Sequence, residues 1–145
     1  MKAFTVALIA LIMISYIIQN EGFEVPEHFK KHAKKLHKRC QNQTNTSDDV
    51  IRAGFSGTLP QDDNFACYIH CIFDMIGVID EKNVMRLESL TQVLPEELHP
   101  MITTLVESCG TKDGDDKCKV AYNTLKCYVD VNPIMLSDKL HFILD

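Results

Sequence analysis

The chain of 145 residues lacks tryptophan and is poor in proline and glycine, with five prolines and six glycines. Aromatic residues make up only 8% of it, and no segment is dominated by serine, glutamine or glutamate. These shortages exclude a low-complexity or disordered chain. The formal net charge of −5 argues against a nucleic-acid partner, because phosphate contacts need a basic surface. A hydrophobic fraction of 46% suffices for one compact domain.

Charged residues are also missing from the run between Lys2 and Glu21, where valine, leucine, isoleucine, methionine and phenylalanine dominate. A positive start followed by such a run is typical of a secretory signal peptide. A transmembrane anchor is the alternative, because the run is nearly long enough to cross a bilayer. We predict a signal peptide over residues 1–22, cut between 15 and 24. The domain over 23–145 would then be secreted and extracellular, with no stable membrane anchor.

The six cysteines are Cys40, Cys67, Cys71, Cys109, Cys118 and Cys127. In the oxidising environment of a secreted protein they predict three disulfides, which the sequence could pair in fifteen ways. Cys67 and Cys71 are four positions apart, so on a helix they share one face and each would bond a different partner. Zinc is the competing interpretation, but structural zinc sites combine two close ligand pairs and only this pair qualifies. We therefore expect neither a metal nor another cofactor.

After the leader, apolar residues recur with helical spacing, and no convincing period of two indicates a strand. Capping residues, prolines and glycines divide the chain into about six short helices, which predicts a single compact all-α domain. The predicted helices open at Pro26, Ser47, Asp62, Asn83, Pro95 and Asp116. The fourth is expected over 83–94, and the third, apolar on most sides, at the centre. The apolar tail over 134–145 is expected to lie back against the domain.

The cysteine spacing resembles that of insect odorant-binding proteins of the pheromone and general-odorant type. Three residues separate the second and third cysteines and eight separate the fifth and sixth, after a signal peptide and within six short helices. The resemblance covers the whole mature chain. It implies helices around an internal apolar cavity, with three interlocked disulfides: Cys40–Cys71, Cys67–Cys118 and Cys109–Cys127.

The same resemblance implies a function. Such proteins carry small hydrophobic odorants or pheromones through aqueous lymph towards membrane odorant receptors. We expect this chain to do so as a monomer or weak homodimer, without catalytic residues. Apolar contact is sufficient chemistry for such a task, because burying apolar surface is worth about 25 cal/mol per Å².

Apolar side chains of the predicted third to sixth helices are the candidates for the ligand-lining wall, with core packing as the alternative role of each. They are Ile72, Phe73, Ile76, Val78, Val84, Leu87, Leu90, Leu94, Met101 and Leu105. Tyr122 and Tyr128 are the predicted hydrogen-bond donors to a ligand oxygen. Leu136 and Phe142, in the tail, are the predicted lid.

Two other functions stay open at this point. The first is an extracellular scavenger or carrier of an amine, lipid or hormone in saliva, venom or haemolymph. An amine binder needs a carboxylate in the pocket, and only Asp74 could supply it. The second is a hydrolase, because His70 beside Cys71 invites comparison with secreted phospholipase A2. The residue after the histidine is not the aspartate of that family and no calcium loop precedes it, so we predict no enzyme.

Three surface features complete the expectations. Protonation of a histidine near pH 6 could release ligand, with His141 in the tail as first choice and His70 and His99 next. Six basic residues between Lys30 and Arg39 predict a solvated helix face, with contact to anionic lipid or a receptor as the alternative. Asn42 and Asn45 begin adjacent glycosylation sequons in a predicted surface loop.

Overall fold

The computed structural model describes the backbone of residues 2–20 and 27–133 and the side chains of 2–15 and 27–133. Within this part of the chain the fold is all-α, as predicted, and an isolated bridge joins Ile79 to Met85. The α-helices are α1 (Lys2–Asn20), α2 (Glu27–Thr44), α3 (Asp48–Phe55), α4 (Asp63–Met75), α5 (His99–Cys109) and α6 (Lys117–Val131). Two short 3₁₀ helices, η1 (Leu87–Gln92) and η2 (Glu96–Leu98), precede α5.

Helix α1 contains the apolar run at the start of the chain. Its large apolar side chains between Phe4 and Ile14 are more than half exposed. Among the residues that are described, no helix combines the length and the apolar character that crossing a membrane requires. The signal peptide over 1–22 and its cleavage stay a prediction.

Side chains at the predicted positions cap three of the helices. The acceptors are Ser47 for the amide of Val50 (3.3 Å), Asp62 for that of Phe65 (2.8 Å) and Asp116 for that of Lys119 (2.9 Å). Each satisfies an amide that has no partner within its helix. Gly77 and Gly110, which follow α4 and α5, have φ values of 75° and 55°. Glycine adopts this left-handed region without a side-chain clash, so both helices end where the sequence predicts.

The fourth predicted helix, over 83–94, differs from the structure. The carboxylate of Asp80 accepts the backbone amides of Lys82 at 2.8 Å and Val84 at 3.0 Å, and Asn83 has a φ of 60°. These bonds hold the backbone in a tight turn, and a residue in the left-handed region cannot continue a right-handed helix. Helical geometry therefore begins later, as the 3₁₀ helix η1.

Helix α4 lies at the centre and packs against α6 and, on another side, α2. Its buried side chains are Phe65, Ala66, Tyr68, Ile69 and Cys71. Helix α5 packs against α6, η1 and η2. The central position of α4 agrees with the prediction made from its apolar character.

Three disulfides join these helices. They are Cys40–Cys71 between α2 and α4, Cys67–Cys118 between α4 and α6, and Cys109–Cys127 between α5 and α6. These are the pairs that the resemblance implies, and they close loops of 31, 51 and 18 residues. In the chain-entropy view each contributes roughly 3–4 kcal/mol. All six sulfurs are paired, so no cysteine thiolate is left to bind zinc.

Gly54, within α3, leaves no room for a side chain. A Cβ atom built there lies 2.6 Å from Cζ of Phe65. The Phe65 ring is itself buried, with its centroid 6.1 Å from that of Tyr68 and 6.4 Å from that of Tyr122. At an exposed helical position Gly→Ala would gain about 1 kcal/mol. We expect Gly54→Ala instead to lower the free energy of unfolding by roughly 1–3 kcal/mol, because the confined ring cannot yield.

Urea unfolding measures this change. Ala53→Ser, at the exposed neighbouring position of the same helix, serves as the control and should shift the free energy of unfolding by no more than about 0.5 kcal/mol. A Gly54→Ala protein as stable as the parent would contradict the packing argument.

Candidate functional site

Backbone hydrogen bonds place η1 beside the end of α4 and the end of α5. The amide of Arg86 donates to the carbonyl of Val78 at 2.5 Å, which fixes the approach to η1 against the segment after α4. The amide of Met85 donates to Oγ1 of Thr111 at 2.9 Å, just beyond α5. Apolar side chains from α4, η1, α5 and α6 therefore meet in one region.

The hydrophobic core passes through this region, and we call nine of its residues, chosen because the sequence predicts them to line a ligand, the interior cluster. Its buried members are Val78, Leu87, Leu105 and Tyr128. The half-buried members packed against this core are Ile72, Phe73, Leu90, Leu94 and Met101. All were predicted ligand-lining residues, and the fold brings them together although they come from four segments of the chain.

The other predicted lining residues lie elsewhere. Ile76, at the C-cap of α4, is 40% exposed, because the backbone leaves helical geometry there and carries the side chain off the buried face. Val84, in the turn that replaces the start of the fourth predicted helix, is half-buried. Tyr122 is buried on α6. Leu136 and Phe142 lie outside the described residues.

Tyr128 supplies a polar atom to the interior cluster. Its side chain is 1% exposed, and burial, followed by the charge of Glu88, raises its pKa to about 12. The phenol therefore stays a neutral donor at physiological pH. Within the described part of the chain its hydroxyl makes no hydrogen bond.

The hydroxyl of Tyr122 is engaged instead. It donates to the carbonyl of Leu59 at 3.4 Å, a long bond to the connector between α3 and α4. Of the two predicted donors, Tyr128 is thus the one whose hydroxyl has no hydrogen-bond partner among the described residues.

A buried histidine was missed at the level of the sequence. His37 is 5% exposed on α2, and its Nδ1 lies 2.9 Å from the hydroxyl of Tyr68 on α4. Burial lowers its pKa, with the charges of Lys38 and Arg52 acting in the same direction and that of Asp48 opposing them. The signal was present, because His37 stands three positions before Cys40 on the apolar side of α2, but the surrounding lysines obscured it.

The predicted pH-sensing histidines have other surroundings. Burial lowers the pKa of half-buried His70, aided by the charge of Lys117 and opposed by those of Asp74 and Asp116. Nε2 of His99 lies 3.0 Å from the carbonyl oxygen of Leu94, next to the interior cluster. His141 lies outside the described residues.

Two depressions lie on the outer side of α6. One, of 350 Å³, is lined by Asp113, Gly114, Asp115, Lys119 and Asn123. The other, of 490 Å³, is lined by Lys112, Asp113, Asn123, Lys126, Cys127, Asp130 and Val131. Both linings are rich in charge and share no residue with the predicted wall, so neither suits an apolar guest.

The remaining candidates, Asp74, Asn42 and Asn45, are exposed. Asp74 points to solvent on α4, so the pocket carboxylate that an amine binder needs does not come from it. Asn42 lies in the last turn of α2 rather than in a loop, and Asn45 follows that helix with a φ of 53°. Both asparagines stay glycosylation candidates.

Fold and site together define the class: a domain of short helices joined by three disulfides around an apolar core that contains a buried tyrosine. Comparison with known proteins then identifies the family. Residues 23–131 match the PBP/GOBP family. The chain belongs to this family of insect odorant-binding proteins, which are carriers of small hydrophobic ligands and not enzymes.

Individual relatives agree with this assignment. The chain is 43% identical to general odorant-binding protein 69a of Drosophila melanogaster over 144 residues, which cover 99% of this chain and 97% of that protein. A medfly odorant-binding protein has a similar crystal structure, with 39% identity, a TM-score of 0.69 and coverage of 77% and 95% of the two chains. Odorant-binding protein 7 of Anopheles gambiae, solved with an azo compound, has 32% identity, a TM-score of 0.77 and coverage of 84% and 99%.

The environment of His37 predicts that acid weakens the fold. In the unfolded chain His37 gains a proton near its ordinary pKa of 6.5, whereas the folded protein holds that pKa lower. The unfolded state therefore binds more protons below about pH 6.5, and stability falls as the pH drops. We expect His37→Gln, which cannot titrate, to lose less stability between about pH 7.5 and about pH 5.5 than the parent does.

Urea unfolding at the two pH values measures the difference. The control is His28→Gln, an exposed position on the same helix, which should follow the parent. Since the lowered pKa of His70 acts in the same direction, some acid sensitivity would persist in His37→Gln. Identical losses in His37→Gln and the parent would refute the assignment.

Proposed function

We propose that this protein is a secreted carrier that binds a small hydrophobic molecule, an odorant or pheromone, against the interior cluster and delivers it to membrane receptors. The observation that supports it most is the half-burial of Phe73, Leu90, Leu94 and Met101, which pack against the core yet keep apolar surface uncovered. Covering such surface with an apolar guest is worth about 25 cal/mol per Å², which gives micromolar affinity to a ligand of modest size.

The covalent framework supports the same proposal. An apolar cavity costs roughly 24 cal/mol per Å³ of empty volume, which a small domain could not sustain from packing alone. The disulfides from α4 to α2 and to α6 offset that cost by restricting the unfolded chain. The mosquito relative that holds an azo compound adds weight, because it shares 32% of its residues with this chain.

The polar groups narrow the ligand class. One neutral donor, Tyr128, in an apolar surrounding suits a ketone, aldehyde or ester, whose carbonyl oxygen accepts a hydrogen bond and which has no donor of its own to satisfy. An amine finds less support, because Asp74 is exposed. The scavenger of a non-olfactory lipid or hormone would use the same cluster, so ligand preference and tissue of expression separate it from the odorant carrier.

Secretion forms part of the proposal. Residues 1–22 would be removed as a signal peptide, leaving the domain that begins at 23, where the family match also begins. N-terminal sequencing of protein recovered from the medium of expressing insect cells would locate the cut.

Truncation of Phe73 tests the binding region. We expect Phe73→Ala to weaken the binding of the fluorescent apolar probe N-phenyl-naphthylamine about tenfold, because the lost ring contact is worth about 1.4 kcal/mol. Met75→Ala changes an apolar side chain of the same helix that is 40% exposed and should bind the probe as the parent does. Thermal unfolding of each variant checks that it folds, and Phe73→Leu should recover part of the affinity. Equal affinity of Phe73→Ala and Met75→Ala would place the ligand elsewhere.

Tyr128→Phe tests the hydrogen-bond donor. In this variant the affinity for a ketone, measured by its competition with the same probe, should fall about fivefold. The reason is the loss of one hydrogen bond, which is worth about 1 kcal/mol. The alkane of equal carbon number should compete unchanged, since it accepts no bond. Tyr122→Phe is the matched control and should leave both competitors unaffected. If ketone and alkane weakened together in Tyr128→Phe, the phenol would be a packing residue only.

A further inference from the structure

The outward side of α2 carries a dense group of cations. Lys31, Lys34, Lys35, Lys38 and Arg39 are all exposed, and their spacing by three, four and seven positions sets them on one side of the helix. We call these residues the cationic face. In the described part of the chain none of them forms an ion pair with a carboxylate. The ion pair that α2 does contain joins Lys30 to Glu27.

The packing of α2 fixes which way this face points. His37 and Cys40 are buried on the opposite side, and Cys40 is bonded to Cys71 of α4. The disulfide and the His37–Tyr68 contact prevent rotation of α2 about its axis. The cationic face is therefore held outward as a rigid surface, with His28 and His32 exposed beside it.

The charge elsewhere has the opposite sign. Residues 40–145 contain eight basic and seventeen acidic side chains, against six basic ones between Lys30 and Arg39. A negatively charged surface would attract α2 and repel the rest of the molecule. Such an asymmetric charge distribution orients the protein as well as attracting it.

We propose that the cationic face docks the protein onto an anionic lipid surface, independently of whether a ligand is bound. Each lysine close to such a surface contributes about 1 kcal/mol of binding free energy. Attraction to a charged lipid surface depends on the density of charge and needs no defined set of hydrogen bonds. The face fits this requirement, because four of its five cations are lysines, which act as mobile point charges. A protein partner would be expected to meet a central apolar or aromatic anchor, and the five side chains of the face include none.

Sedimentation with vesicles tests the docking. The protein is recovered from the medium of insect cells, with Asn42→Gln in every sample so that no glycan covers this side of α2. We expect binding to vesicles of equal parts phosphatidylserine and phosphatidylcholine but not to phosphatidylcholine alone, and we expect added salt to weaken it. One variant changes four residues of the face to Gln: Lys31, Lys34, Lys35 and Lys38. It should bind about a hundredfold more weakly, because each lysine that reaches the lipid accounts for about a fivefold change in affinity.

A second set of lysines provides a control of equal charge. Lys82, Lys112, Lys117 and Lys126 are exposed outside α2, and changing them all to Gln alters the net charge by the same amount. This control should bind within a few fold of the parent, as should a variant with arginine at the four α2 positions. Lysine and glutamine have similar helix propensities, and thermal unfolding confirms that each variant folds.

Three results would overturn the proposal. Equal losses in the two glutamine variants would assign binding to net charge rather than to the face. Equal binding of the parent to neutral vesicles would assign it to apolar insertion. Failure to bind anionic vesicles, together with lysine-dependent binding to polyglutamate or to a second copy of the chain, would show that the face recognises an acidic protein. None of these results bears on the affinity for an apolar probe, so the carrier proposal is judged separately.

Discussion

The covalent anchoring of α4 is the constraint on which the rest of the structure depends. Cys67 and Cys71, one helical turn apart, tie this helix to α6 and to α2. Three disulfides at roughly 3–4 kcal/mol each equal the net stability that a small domain usually has. Because α4 is held in place, the position of Val78 and of the turn that follows it is fixed as well. The interior cluster can then keep half-buried apolar side chains that an uncrosslinked domain would bury by collapsing.

Much of the fold could be predicted from the sequence, because local chemistry decides most helix ends. Ser47, Asp62 and Asp116 cap α3, α4 and α6 at the expected positions, and Gly77 and Gly110, both with positive φ, follow α4 and α5. The exception is the turn at Asp80. Its carboxylate competes for backbone amides two and four residues ahead, and the apolar spacing from Val84 to Leu94 gives no sign of that competition.

The burial of most predicted lining residues followed from the sequence, whereas the polar detail around them did not. Helical spacing found the apolar side chains that form the interior cluster, since spacing reports which face of a helix is buried. The hydroxyl of Tyr122 donates to the carbonyl of Leu59, 63 positions away, whereas that of Tyr128 has no partner among the described residues. The burial of His37 likewise depends on Tyr68, 31 positions away. Contacts between residues so far apart arise from the packing of helices, which no local pattern in the chain encodes.

The uneven distribution of covalent links gives the interior cluster two unlike sides. Helices α4 and α6 are bonded to each other, and α4 to α2 as well. Helix α5 is bonded through Cys109 in its last turn, so η1 and the start of α5, with Leu90, Leu94 and Met101, are held in the described structure by non-covalent contacts. In the proposed carrier, a ligand would enter where only non-covalent contacts have to open, while the helices joined by disulfides keep their positions during uptake and release.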